Sequence, residues 1–176
     1  MALCDLLNGN ISKSCDNNAG GVTNIYIADS ALVTGYTESA GSLTAITMSG
    51  SAKFYNYEFN RNSSSYSEEM TVDLANGTTF FMQTVSLVLS RREKTKRQAL
   101  QKLIAGQKEL FIIVKDSNGL YWAFGKDDGC VVTATSGGSG VAKGDANAYV
   151  ITFTAEEPQS APEVTSSIMA ALISAT

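Results

Sequence analysis

Several runs of this chain alternate apolar with polar or smaller residues, and one segment changes to a helical period. Residues 78–90 are rich in β-branched and aromatic side chains, and beyond Arg91 the apolar spacing changes from two to nearly four. One helix is therefore expected, over about 92–105, in an otherwise β-rich chain. Residues 22–28, 42–49 and 53–59 read as strands, the last with Tyr55, Tyr57 and Phe59 on one face. That aromatic stripe suits a sandwich core or a contact with another subunit. Asn76-Gly77 and Asn118-Gly119 are type I′ turn signals, so 70–74 is expected to pair with 79–85, and 110–115 with 120–124. Tyr149, Ile151 and Phe153 alternate with polar or smaller residues in a closing strand.

Residues 110–114, Leu-Phe-Ile-Ile-Val, are apolar on both faces, which predicts a central strand covered by a helix on one side and a sheet on the other. For the helix, Ser90 is the N-cap candidate, Glu93 completes a Ser-x-x-Glu capping box, and Gly106 ends it. Ala99, Leu100, Leu103 and Ile104 form its narrow apolar stripe; Arg92, Lys94, Lys96, Arg97 and Lys102 lie outside it. Residues 30–41, 60–67 and the Ser/Gly-rich 133–146 read as loops. The fold class is mainly β (α+β), an antiparallel β-sandwich or barrel flanked by one helix. Residues 1–157 form one β-rich domain and 158–176 a linker with a short apolar arm or helix. That tail either returns to its own domain or docks on a neighbour.

Composition narrows the function classes. With 176 residues, 44% hydrophobic and 17% charged, the chain has enough apolar material for one ordered domain. A net charge of -4 argues against coating nucleic acid, which needs excess Lys and Arg. Cys4, Cys15 and Cys130 match neither zinc nor redox spacing and are expected to be reduced thiols of a cytosolic product. No basic-then-apolar leader and no run of about 20 apolar residues is present, so neither secretion nor a membrane anchor is expected.

Catalytic material is thin. The chain has no histidine, so it holds no Ser-His-Asp or Cys-His arrangement and no His-bearing metal site. Lys143 is followed by Gly144 and Asp145, not by the Ser or Thr of a phosphate loop. Neighbouring acids in Glu68-Glu69 and Asp127-Asp128 point to opposite faces of a strand and are poorly placed to share a substrate. No enzyme activity and no cofactor are expected.

The strongest charge feature is the basic run from Arg91 through Arg92 and Lys94 to Arg97, at a helix N-terminus where the dipole disfavours cations. It reads as a solvated face, as a contact with Glu68, Glu69, Asp127 and Asp128 of a neighbouring subunit, or, least, as a phosphate site.

The run Ser86-Leu-Val-Leu-Ser, the helix from Glu93 to Ala105, then Glu109-Leu-Phe-Ile-Ile-Val-Lys-Asp, Asn118-Gly-Leu-Tyr-Trp-Ala-Phe-Gly and Gly144-Asp-Ala-Asn-Ala-Tyr-Val-Ile-Thr-Phe-Thr together resemble a tail tube protein of a long-tailed bacteriophage. About half the chain carries the likeness. The resemblance implies a virion protein, made in the bacterial host cytoplasm, that self-assembles into hexameric rings. Inner strands of those rings join into a continuous β lining, loops fasten ring to ring, and DNA is a non-specific cargo of the lumen. Its partners would be copies of itself and other virion proteins. Residues 60–67, with Arg61 and Tyr66, are the favoured ring-to-ring loop, and 30–41 the competitor. Other readings are a capsid decoration or head-to-tail connector subunit, and a carbohydrate-binding module using Tyr55, Tyr57 and Trp122.

Overall fold

A computed structural model describes residues 18–173; the readings that involve Cys4, Cys15 and the N-terminal leader lie outside these residues. The fold is mainly β, with a helix close to the expected one and a second in the C-terminal tail, where an arm or a helix was expected. Among the described residues eleven strands form two sheets. The larger sheet combines β1 (Val22–Asp29), β2 (Val33–Ser39), β3 (Ser42–Met48), β4 (Tyr55–Tyr57), β7 (Leu110–Asp116), β8 (Tyr121–Phe124) and β11 (Glu163–Val164), in the order β2-β3-β11-β8-β7-β1-β4. The smaller combines β5 (Ser65–Asp73), β6 (Thr78–Ser90), β9 (Val131–Gly138) and β10 (Ala148–Glu157), in the order β5-β6-β10-β9. All its pairs are antiparallel.

The two sheets bury one core between them. Val85, Leu87 and Leu89 of β6 and Ile151, Phe153 and Ala155 of β10 meet Ile25 and Ile27 of β1 and Leu110, Ile112 and Val114 of β7. Strict period-two alternation puts every second residue of β6 and β10 inward. In β1 both Val22 and Ile25 face this core although three positions separate them, because a register shift between Val22 and Asn24 adds a residue.

A second core lies on the opposite face of the larger sheet. Tyr26, Leu43, Ile46, Phe54, Phe111 and Ile113 pack there with Met169 and Leu172 of α2 (Ser166–Leu172). The sheet-and-helix cover expected for β7 is therefore present, but the covering helix is the C-terminal one. Of α1 (Lys94–Ala105) only Leu100 is buried, and it joins the rim of the inter-sheet core. The tail does not act as a linker: β11 runs parallel to β3 and antiparallel to β8, inside the larger sheet.

Several local readings need correction. The N-cap of α1 is Glu93, without a side-chain hydrogen bond, while Ser90 is the last residue of β6; no capping box forms. Arg91 takes the turn between them at φ 62°. Gly106 closes α1 in the right-handed region, and Gln107 takes the left-handed position. The 30–41 segment is a single 3-10 turn followed by β2, and Ala40-Gly41, both at positive φ, close the β2–β3 hairpin. The polar segment 60–67 ends early, since β5 begins at Ser65, and 133–138 belongs to β9. Both predicted Asn-Gly hairpins form, but over longer turns in which only Gly77 and Gly119 are left-handed. They are not type I′ turns.

The β7–β8 turn is organised by Asp116. Its carboxylate accepts the backbone N–H groups of Asn118 (2.8 Å) and Leu120 (2.9 Å) and the indole N–H of Trp122 (3.3 Å). Because Asp116 is buried, at 7% exposure, Asp116→Ala strands donors that water reaches poorly. A loss of about 2–4 kcal/mol is expected, read by chemical denaturation with Trp122 fluorescence.

Candidate assembly surface

Among the described residues, the smaller sheet ends on two open edges. β5 pairs only with β6, and β9 only with β10. Four antiparallel strands lie in a row, so the two edge strands run in opposite directions. No Lys or Arg occurs in β5, β6, β9 or β10, the residues usually placed on a strand edge to prevent pairing. On the face turned away from the core lie Ser67, Glu69 and Thr71 of β5, Thr84 and Ser86 of β6, and Thr152, Thr154 and Glu156 of β10. Phe80, Met82 and Val88 of β6 and Val150 of β10 share that face, so it mixes hydroxyls, carboxylates and apolar side chains.

The basic run sits at the other side of the sheet, along α1. Arg91 is paired with Glu93 at 3.1 Å, and Lys96 donates to the carbonyls of Ser90 (2.5 Å) and Arg91 (3.4 Å). These contacts offset the unfavourable dipole at the start of α1. Arg92 lies over the Tyr149 ring, 5.1 Å from its centre, and lines with Arg97, Leu100 and Ile104 a cleft of about 200 Å³ between α1 and the β9–β10 pair. Lys94 is exposed. Farther along α1, Leu103, Ile104, Val131 and Val132 line a second groove at the start of β9.

The acidic residues are held differently. Glu68 accepts from the Gln83 amide (3.1 Å), the Ser160 hydroxyl (2.7 Å) and the Ala161 N–H (2.7 Å), so its carboxylate is already engaged. Glu69 is exposed. Asp127 accepts from the Tyr36 hydroxyl at 2.5 Å and also lies 3.5 Å from Lys126, which pairs with Glu38; Asp128 is exposed. That Asp127 hydrogen bond raises the Tyr36 phenol above its usual range. Arg61 is exposed, and Tyr66 packs on Phe124 at 5.3 Å. No ion pair among the described residues joins the α1 cations to Glu68, Glu69, Asp127 or Asp128. Ser90, where β6 runs out toward α1, is seven strand positions beyond Gln83, the register partner of Glu68, or roughly 23 Å.

Sequence reasoning missed the latch between the sheets. Glu157 ends the inward row of β10 and Gln83 is a polar member of the inward row of β6, each 2% exposed. Glu157 accepts the N–H groups of Asp127 and Asp128 at 3.0–3.2 Å, and the Gln83 carbonyl accepts the Gly125 N–H at 3.1 Å. The turn they hold needs glycine at both ends. A Cβ on Gly125 would lie 2.4 Å from the Cys130 nitrogen, and one on Gly129 2.6 Å from Glu109 Cβ. Their polar character at inward positions was the available signal.

Burial raises the Glu157 carboxyl above its ordinary range, against the opposing pull of its two N–H donors. Between the ordinary carboxylate value and the raised one, the native state holds a proton that the unfolded chain has lost. Stability from this group is thus full at low pH and falls as pH rises through the raised value. Glu157→Gln is expected to flatten that fall, which melting curves from pH 4 to 8 would measure.

The aromatic residues offer no shared platform. Tyr55 is 63% exposed, whereas Tyr57 and Trp122 pack on the inter-sheet core, and the Trp122 N–H is bound to Asp116. No grouping of three or more metal-ligating side chains occurs among the described residues, and no helix there is long and apolar enough to cross a membrane.

Fold and surface together define a two-sheet, mainly β protein with one open-edged, cation-free sheet. No family profile, curated protein or solved structure matches the chain.

Proposed function

We propose that this chain is a structural virion subunit that self-assembles into hexameric rings, which stack into a phage tail tube for DNA passage. One observation carries the reading: among the described residues the smaller sheet ends on two unpaired edges of opposite direction. A rotation that sets copies side by side brings β9 of one against β5 of the next in antiparallel order, and the ladder continues until the ring closes. A pair of like-directed edges would lack this property. Six is the number implied by the tail-tube resemblance, while the edges require only cyclic closure.

The charge distribution supports the same use. If the outer face of the smaller sheet lines the channel, passing DNA meets hydroxyls, the apolar side chains of Phe80, Met82, Val88 and Val150, and the carboxylates of Glu69 and Glu156. Without cations to exchange for condensed counterions, that surface does not hold phosphates. The α1 cations fall on the other side of the sheet.

Negative-stain microscopy of the purified full chain is the test. Hollow rods or stacked rings are expected. Closed shells would favour a capsid decoration role, and dispersed monomers at all concentrations would overturn the assembly reading.

A further inference from the structure

The β5–β6 hairpin carries an apolar row that no described residue of the chain covers. Met70 and Val72 are 62% and 47% exposed, and Leu74 at the turn is 91% exposed. The registers Tyr66↔Val85, Met70↔Phe81 and Val72↔Thr79 put Met70 and Val72 on the same face as Tyr66, the face that elsewhere covers the inter-sheet core. Met70 is level with the last pair of β10, Glu157↔Phe81, and Val72 lies beyond it. The row continues a core face into solvent.

The groove between α1 and β9 has the complementary form. Leu103, Ile104, Val131 and Val132 line it, with Ile104 39% and Val131 42% exposed, and it opens beside the unpaired edge of β9. It lies on the core side of the smaller sheet, as Val132 packing on the inter-sheet core shows. We infer that this groove is the socket for the β5–β6 hairpin of a second copy, with Met70 and Val72 of one subunit seated against Ile104 and Val132 of the next.

This inference rests on the β9–β5 pairing proposed above and gives it a side-chain contact. Aligning the two strands antiparallel end to end sets Val72 beside Val132. The core-side side chains of the incoming β5 then fall under α1, where the groove is. Charge favours the same encounter: α1 carries Lys94, Lys96, Arg97 and Lys102 and no acid, while β5 carries Glu68, Glu69 and Asp73 and no cation. Steering brings the edges together, and the apolar contact fixes how far β5 slides along β9.

The test uses full chains with Cys4 and Cys15 replaced by serine, one carrying Val72→Cys and the other Ile104→Cys. Mixed under a mild oxidant, they are expected to give a disulfide-linked dimer that neither gives alone. Val72→Asp, at a largely exposed position, is expected to keep the parental melting temperature within a few degrees and to raise the concentration needed for assembly at least tenfold, about 1.4 kcal/mol. Amide exchange of β5 and β9 in assembled protein separates the two levels. Protected edges without a cross-link, and with unimpaired assembly of Val72→Asp, overturn the socket and leave the ring reading standing. Unprotected edges in assembled protein, or a parent chain that never assembles, overturn both.

Discussion

Proline at one of the two adjacent positions Thr135 and Ser136 is expected to leave a folded chain that forms no rods, and at the other to unsettle the fold. Successive N–H groups of an antiparallel strand point to opposite sides, so one of this pair bonds to β10 and the other faces the open edge of β9. Proline at the outward position removes a donor that the isolated subunit does not use, at a cost of about 1 kcal/mol or less. Within a ring the same change takes a hydrogen bond from every interface and leaves a carbonyl of the next subunit without its partner, a loss of about 1–3 kcal/mol each time. That is a rise of about 5- to 150-fold in the concentration for assembly at a single contact, and closure multiplies it around the ring. Proline at the inward position breaks the β9–β10 ladder instead and lowers the melting temperature. Denaturation curves and negative-stain images of both variants give the answer. Two variants that melt like the parent and still form rods would remove β9 from the contact.

The strands with one buried face were legible in the sequence, and those without one were not. β6 and β10 bury alternate residues against a sheet, so the hydrophobic effect writes a period of two into them. β7 is buried on both faces and reads as a continuous apolar run. β2 and β9 are mostly exposed edge strands, held by backbone bonds to a single neighbour, and their Thr, Ser and Gly residues carry no such imprint. The β2–β3 turn also escaped, because Ala40 takes the left-handed position where Asn or Gly is the usual signal. The expected cap of α1 failed for a related reason: β6 claims Ser90 for its pairing with Ala148, and the chain turns at Arg91 instead.

The candidate assembly surface was legible in charge and illegible in geometry. The basic run from Arg91 to Arg97 and the acids Glu68 and Glu69 stand out in the chain, but their separation along the sheet and the prior engagement of Glu68 appear only in three dimensions. Edge status is likewise a property of sheet order, which a single strand does not encode. The absence of Lys and Arg from two strand pairs that are far apart in sequence becomes informative only once those strands form one sheet.

Deleting residues 166–176 is expected to abolish the cooperative fold, which would place the apolar tail in the subunit's own core. Met169 and Leu172 are 2% and 6% exposed, and they cover the face of the larger sheet that carries Phe111 and Ile113. Truncating either one to alanine removes about 2–5 kcal/mol, and the two together approach the whole stability of about 5–15 kcal/mol typical of a domain. Backbone bonds tie the same segment down on both sides: Phe54 donates to the Leu172 carbonyl at 2.9 Å and Thr165 to the Leu43 carbonyl at 3.0 Å. β11 also bridges β3 and β8, so losing the helix that follows it exposes an apolar sheet face and frees the strand joining the two parts of that sheet. Urea denaturation of the shortened chain, followed by Trp122 fluorescence, should show no cooperative transition, and Met169→Ala alone should shift the midpoint to lower urea. A shortened chain that melts like the parent would mean that the second face of the larger sheet needs no cover of its own. Its natural cover would then come from another subunit, and rods of the shortened chain would be the first thing to look for.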